Sequence, residues 1–448
     1  MQRIKWIWTT LRASFWFLPY LIVSAYIGAA VVLTHLRPGT SDLWLSAFPQ
    51  LFSVSAAGAR DMLSTIAASM ISVVGIVFSM TLVALALASS QYSSRVLRTF
   101  MRSRLTQASI GVFAGLYAYC LIVLRGVKGQ DDELVVPVTA VTLGVVGAVA
   151  AVGLLIFFIH HIAVSIQAST ILASIAGDTI ATIEHMFPKQ DDDSTKRERD
   201  EAEAAARPAA CVQSVPATIS GYVQSIDEAA LVAYACKHDT MLRMELGVGQ
   251  FVVAGACLVT VEQAQCLAPR TLQALRDTVR ISAYRTVEQD PAFGVRQIVD
   301  VALRALSPGI NDTTTAVMSI DYLGTILAAL APRAFQSPYR RAGGSLRLVT
   351  VQPNFAAMVH EAFDQIRRGA NGNVSIILRM TEMIHVVGKL LSLPDRARAM
   401  SEQLDFLDEL NARTVEAELD RSAIGRRIGQ VRSALANGRQ AAAGCGGV

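Results

Sequence analysis

The stretch LVVPVTAVTLGVVGAVAAVGLLIFFI, residues 134–159, decides the fold. It carries no charged residue, and as a helix it is long enough to cross a hydrocarbon core of about 30 Å. Three more uncharged apolar runs precede it, at residues 13–33, 62–88 and 105–124. The sequence therefore predicts an α-helical membrane protein with four transmembrane helices in residues 1–160.

The distribution of Lys and Arg predicts the orientation in the membrane. One side of the membrane would carry the amino terminus and the second loop, which are rich in basic residues: Arg3, Lys5 and Arg12, and Arg95, Arg98, Arg102 and Arg104. The first and third loops contain fewer basic residues, and acidic residues accompany them. Because basic loops stay in the cytoplasm, we expect both termini to be cytoplasmic.

The remainder of the chain has the composition of a cytoplasmic α+β region, with a small β-domain followed by a helical domain. An amphipathic pattern continues past the fourth run and predicts a single helix of about 50 residues. The predicted segments are a helical stalk (161–188), a flexible charged linker (189–210), the small β-domain (211–263), a mainly helical domain (264–395), a C-terminal helix (396–437) and a disordered tail (438–448).

Within these segments, periodicity and breakers predict shorter elements. Residues 374–378 are ambiguous between strand and helix. Helices are expected near 228–236, 269–288, 293–306, 312–330 and 353–369, and a strand near 346–351.

Composition excludes several classes of function. The net charge of +4 has no broad basic face, so we expect no nucleic-acid partner. None of the six cysteines forms a C-x-x-C pair, which disfavours a structural metal site. Nucleophile-elbow, phosphate-loop and zinc-helix motifs are missing, so we expect neither a cofactor nor enzymatic activity. The apolar runs contain no acidic or basic residue, which disfavours an active transporter.

Hydroxyl residues form a stripe on the second apolar run. Thr65, Ser69, Ser72 and Ser79 recur at helical spacing, so they share one face. Such a face can line a water-filled path or can join neighbouring helices. These four residues are the candidate pore lining, and the direction in which they face should discriminate between the two interpretations.

Two further groups are candidate sites. His160 and His161 lie at the end of the fourth run, where they can anchor the interface or act as a pH-sensitive gate. The turn formed by Ser307, Pro308, Gly309, Asn311 and Asp312 separates two predicted helices. It can bind an anion at a helix start, offer oxygen atoms to a cation, or be only a capped corner. We expect Gly309 to adopt a conformation closed to β-branched residues.

The string RTVEQDPAFGVRQIVDVALRALSPGINDTTTA, residues 285–316, resembles the signature of a bacterial family of predicted membrane proteins, a domain of unknown function. The likeness covers nearly the whole chain, including FIHHIAVSIQ, SGYVQSID and AFDQIRRGA. The family signature has proline where this chain has Thr313. The resemblance implies the architecture and a bacterial cytoplasmic (inner) membrane, but no activity.

Two functions remain open from the sequence, and the first is the preferred interpretation. The first is an oligomeric passive pore or channel-like protein that conducts a small ion or solute and is regulated by its cytoplasmic domain. The second is a non-conducting membrane-anchored sensor or scaffold that binds a cytoplasmic ligand or partner. Besides the lipid bilayer, the expected partner is a further copy of the chain.

Overall fold

A computed structural model describes residues 16–35, 55–91, 104–127, 138–188, 212–262, 268–391 and 393–445. The predicted linker at 189–210 and most of the basic second loop lie outside these ranges. The chain divides into two compact units, Met1–Thr170 and Ile171–Val448.

Four helices make up the first unit. They are α1 (Phe17–His35), α2 (Ala56–Gln91), α3 (Arg104–Gly126) and α4 (Val138–Ser165). Helix α3 is the centre of the bundle, because it contacts the other three helices and half of its apolar window is buried. Glycines permit the close approach: Gly115 packs on Tyr26 of α1, and Gly147 of α4 packs on Leu116.

The interior of the first unit is mainly apolar. Leu63, Phe113, Leu116 and Phe158 are fully buried there. Tyr119 is a buried polar residue whose hydroxyl donates to the carbonyl of Ala140 at 2.8 Å. The buried hydroxyls of Thr106 and Ser109 on α3 have no hydrogen-bond partner among the described residues. At the exposed surface, the Arg60 guanidinium donates to the carbonyl of Val127 at 2.7 Å.

Five helices in the described ranges are long and apolar enough to cross a membrane. Four of them are α1 to α4, and the fifth, Thr313–Leu330, lies in the second unit. Length and composition alone therefore do not fix the number of spans.

The second unit contains nine helices and eight strands within the described residues. In chain order they are α5 (Ala168–Met186), β1 (Val212–Pro216), β2 (Gly221–Ile226), α6 (Glu228–Lys237), β3 (Met241–Met244), β4 (Phe251–Val252), β5 (Cys257–Glu262), α7 (Pro269–Arg276), β6 (Val279–Ser282), α8 (Pro291–Ala305), α9 (Thr313–Leu330), β7 (Tyr339–Ala342), β8 (Ser345–Val349), α10 (Phe355–Ala370), α11 (Val374–Gly388), α12 (Pro394–Thr414) and α13 (Glu418–Cys445).

The strands form two sheets. The larger has the order β1-β5-β3-β8-β7, antiparallel except for the parallel pair β3 and β8, and the smaller has the order β4-β2-β6. Val223, Leu231, Val259 and Leu348 contribute to the core between them. Helices α8 to α13 pack on one another, with α9 between α8 and α11.

Several sequence expectations differ from this architecture. The single helix past the fourth run is wrong, because Ile166 and Gln167 separate α4 from α5. Helix α5 is not a free stalk, since Leu172 and Ile183 are fully buried. The β-domain recruits β6, β7 and β8 from later in the chain, and β6 occupies part of the helix expected at 269–288.

The carboxy-terminal part also differs. The C-terminal helix expected at 396–437 is divided into α12 and α13, and α13 continues to Cys445 through most of the segment expected to be a disordered tail. The ambiguous segment 374–378 is helical, as the start of α11. The strand expected near 346–351 is present as β8.

Candidate functional site

The hydroxyl stripe of α2 points away from the bundle interior. Thr65, Ser69, Ser72 and Ser79 are all exposed. Three of them bond back to their own helix: Thr65 to the carbonyl of Asp61 at 2.7 Å, Ser69 to that of Thr65 at 2.8 Å, and Ser72 to that of Ala68 at 3.0 Å. The stripe thus neither lines a path through one chain nor packs against the other three helices.

Part of the stripe borders an outer groove. Thr65 and Ser69 line a shallow depression of about 590 Å³ between α2 and α4. The opposite side of the groove is apolar, with Val145, Val149 and Val152. This surface suits a lipid tail or another apolar helix.

The histidine pair lies at the end of α4. His160 is exposed and His161 is half-buried. Among the described residues there is no group of three or more His, Cys, Asp or Glu that could hold a metal ion. The gate hypothesis for this pair stays a prediction.

The 307–312 turn is a tightly bonded corner. The Asp312 carboxylate accepts from the Thr315 backbone N–H at 3.0 Å and from its hydroxyl at 2.5 Å, which caps α9. These bonds, the hydroxyl bond first, lower the pKa of Asp312. Ser307 completes the corner by donating its hydroxyl to the carbonyl of Arg304 at 2.6 Å. Pro308 lies between these bonded positions.

The conformation expected for Gly309 is wrong. It is not among the described residues with positive φ, and a Cβ atom there would meet nothing within 4 Å. Asn311 instead takes the left-handed conformation, with φ of 49°. Asparagine tolerates this region better than most residues do, because its short side chain bonds locally. The turn therefore depends on Asn311 and Asp312.

A polar cleft of about 810 Å³ in the second unit is the strongest candidate site. It was not identified from the sequence. Three helices begin at its wall: α6 with Glu228, α8 with Pro291 and α10 close to Ala357. The loop at 247–250 and the segment at 350–354 complete the wall.

An ion pair between half-buried Arg285 and buried Asp290 closes one side of the cleft. Arg285 donates to both carboxylate oxygens of Asp290, at 2.8 and 3.0 Å, and its guanidinium lies 5.2 Å from the Phe293 ring centroid. Asp290 also caps α8 by accepting from the Phe293 N–H at 3.2 Å. Burial raises the pKa of Asp290, although the Arg285 bonds oppose this shift.

Gly249 makes room for this pair. Its φ is +86°, and a Cβ atom at this position would overlap with Oδ2 of Asp290. The loop passes directly over the carboxylate because only glycine combines this backbone with the absence of a side chain.

The end of α5 forms the opposite wall. Phe187 is buried against Phe335, with ring centroids 4.9 Å apart, and the guanidinium of Arg333 donates to the Phe187 carbonyl at 2.9 Å. Arg396 on α12 in turn holds the carbonyls of Ala331 and Arg333, at 2.6 and 2.7 Å. The cleft wall and the helix that follows α4 in the chain are therefore one packed structure.

The sequence contained only a partial signal of this cleft. Asp290 followed by Pro291 has the residue types of a helix start, whereas Arg285 and Gly249 stand out by no spacing or motif. Segments from residue 185 to residue 357 meet at the cleft, so no local pattern contains it.

The sequence matches a known protein family. Residues 12–385 match a sequence model of the family described as "Predicted membrane protein (DUF2254)". The chain belongs to this family. The match confirms the resemblance that the sequence indicated and supports a membrane protein.

Relatives in mycobacteria cover nearly the whole chain. An uncharacterized protein of Mycobacterium tuberculosis (strain CDC 1551 / Oshkosh) is 31% identical over 435 residues, which are 95% of this chain and 81% of the relative. An uncharacterized protein of Mycobacterium bovis is 31% identical over 437 residues, with the same coverage. No solved structure is significantly similar to the chain.

Proposed function

We propose that this protein is a membrane-anchored sensor whose second unit binds a small polar ligand in the cytoplasm. Helices α1 to α4 span a bacterial cytoplasmic membrane and both termini are cytoplasmic, in agreement with the bias of basic residues. The fifth apolar helix, α9, belongs to the core of the second unit, where Asp321 on α9 pairs with Arg379 on α11. A charged pair of this kind is unfavourable in a lipid-facing helix.

The polar cleft is the observation that carries the proposal. A concave site with several convergent polar groups is the usual form of a small-molecule site. One wall is the end of α5, and α5 follows membrane helix α4 after only two residues. A ligand in the cleft therefore contacts the end of the helix that follows α4 in the chain.

Binding is favoured over catalysis because the two less exposed carboxylates of the cleft wall, Glu228 and Asp290, are held by other side chains. Glu228 accepts from Arg340 at 2.8 Å and from Gln352 at 3.2 Å, and Asp290 is held by Arg285. Groups fixed in this manner orient a ligand, whereas a general acid or base must exchange a proton.

The test is to fill the cleft. Ala357 is an exposed part of the wall, so Ala357→Trp should occupy the cleft without disturbing the core. Ala417→Trp, at an exposed position between α12 and α13, is the matched control. Thermal unfolding of each full-length protein is measured against a panel of small polar metabolites.

We expect at least one compound to raise the thermal unfolding midpoint of the wild type and of Ala417→Trp, but not that of Ala357→Trp. Stabilisation follows from ligand binding to the folded state alone. Compounds that stabilise all three proteins equally bind elsewhere and would remove the proposal.

A pore made by several copies is the second candidate, and the outward direction of the hydroxyl stripe favours it. The hydroxyl stripe lies on the outer surface of one copy, so a wet path along it requires the α2 stripes of neighbouring copies to face one another. His160 and His161 are the candidate gate of such an oligomer, and a small ion or solute is its cargo.

Ser72→Leu tests this second candidate. Leucine is compatible with a membrane helix but would narrow and dry a hydroxyl-lined path. Ion flux into reconstituted vesicles should therefore fall, while Leu143→Ile on the exposed face of α4 should leave it unchanged. Wild-type vesicles that are no more permeable than empty ones would eliminate the pore.

A further inference from the structure

Two adjacent turns of the second unit display large apolar side chains to solvent. Ile219, Phe251 and Val253 are 53%, 54% and 60% exposed. Tyr222 lies behind them, with its ring centroid 5.1 Å from that of Phe251. We call these four residues the apolar tip. The largest apolar patch on a typical monomeric protein is about 300–600 Å² and is often functional.

The apolar tip is rigid in construction. The two turns are joined by the Ala217 N–H to the Ala256 carbonyl and by the Gly255 N–H to the Ala217 carbonyl, each at 2.8 Å. The Ser220 hydroxyl accepts from the Ala254 N–H, also at 2.8 Å. These bonds fix the turns together, so the side chains do not depend on a partner for their arrangement.

The surroundings of the apolar tip lack charge. Residues 212–226 and 246–261, which form the strands and turns around it, contain no Asp, Glu, Lys or Arg. Basic residues begin just behind: Arg276 donates to the Pro216 carbonyl at 2.9 Å, and Arg280 is exposed on β6. In a bilayer interface, apolar side chains contact the acyl chains, tyrosines lie at the headgroup level and arginines contact the anionic headgroups. The apolar tip, Tyr222 and the two arginines occur in the same order.

We propose that the apolar tip inserts into the lipid interface of the membrane that anchors the chain. The tip is too small for a stable protein interface: three side chains about half exposed offer about 300 Å², whereas each partner of a stable complex buries about 800 Å². A weak lipid contact suffices here, because the tethered chain meets the bilayer at high effective concentration.

The experiment uses the full-length chain in vesicles of phosphatidylethanolamine and phosphatidylglycerol. The photoreactive residue p-benzoylphenylalanine replaces Val253 in one protein and Leu419 in another. Leu419 is the control because it is 86% exposed on α13, outside the apolar tip. After illumination, lipid adducts are quantified by mass spectrometry.

Lipid adducts at position 253 should exceed those at position 419 severalfold. Adding Phe251→Glu should lower the adducts at 253 severalfold, and the protein should remain folded with a thermal unfolding midpoint lowered by a few degrees at most, because Phe251 is half exposed. Adding Leu419→Glu should change neither quantity.

Three outcomes would overturn the proposal. The first is equal lipid labelling at positions 253 and 419. The second is adduct formation at position 253 with protein alone, which would show that another segment or a second copy covers the apolar tip. The third is lipid labelling at 253 that Phe251→Glu does not reduce.

Discussion

Replacement of Gly249 by alanine should destabilise the second unit through the Arg285–Asp290 pair. The backbone at Gly249 is left-handed, and a Cβ atom would overlap with Oδ2 of Asp290 and lie 2.9 Å from Nη2 of Arg285. Asp290 is almost completely buried, so its carboxylate has little space into which it can move.

Two terms set the magnitude. An alanine forced into the left-handed region costs about 1–2 kcal/mol. Overpacking against a buried group adds about 1–3 kcal/mol. The expected loss is therefore about 2–5 kcal/mol for Gly249→Ala, at the upper end if the ion pair separates.

Gly255→Ala is the matched control. Gly255 has a φ of +89°, close to that of Gly249, but a Cβ atom there would meet nothing within 4 Å. This variant should therefore show only the backbone cost of about 1–2 kcal/mol.

The assay is thermal unfolding of the full-length protein in detergent, followed by circular dichroism. A change of 1 kcal/mol shifts the midpoint of a large domain by about 2–4 °C. Gly249→Ala should thus unfold several degrees below Gly255→Ala. Equal midpoints would show that the loop does not press on the ion pair, and the cleft geometry derived above would then be wrong.

Three further predictions use the same assay. Asp312→Ala should lower the free energy of unfolding by about 0.5–2 kcal/mol, because α9 loses its cap. The bonds to Thr315 lower the pKa of Asp312, so this stabilisation should be present at neutral pH and disappear as the pH falls through the folded-state pKa. A stability difference between wild type and variant that persists in acid would contradict this. Gly309→Ala should be neutral, whereas Asn311→Ala should cost about 1 kcal/mol and Asn311→Gly nearly nothing; the reverse order would refute the assignment of the left-handed residue. Arg396→Met should cost about 2–4 kcal/mol because two backbone carbonyls lose their donor, and Arg396→Lys should recover only part of this loss.

Local signals in the sequence predicted the local structure. The uncharged runs became α1 to α4, and the capping residues Asp290 and Asp312 start the helices expected after them. Such signals act within one or two helical turns, so they remain valid whatever the rest of the chain does.

Local signals did not predict which distant segments pair with one another. Strand β8 pairs with β3 through Leu348 and Leu242, more than a hundred residues apart, and β6 replaces part of an expected helix. Likewise, periodicity placed Ser69 and Ser72 on one face of α2, but the direction of that face depends on how α3 and α4 pack. The cleft could not be predicted for the same reasons, because distant segments form it and the direction of each side chain depends on their packing. Gly249, for example, has a role only because Asp290 on another element lies against it.

The packing of α5 has a practical consequence for work with a soluble fragment. A fragment that begins after the charged segment, at Val212, would lack the partners of Gly294 and Phe335, which are Thr179 and Phe187. It would expose their apolar surroundings and would be prone to aggregate. A fragment that begins at Ala168 retains α5 and omits α1 to α4, and it is the one to express for crystallisation and ligand screening.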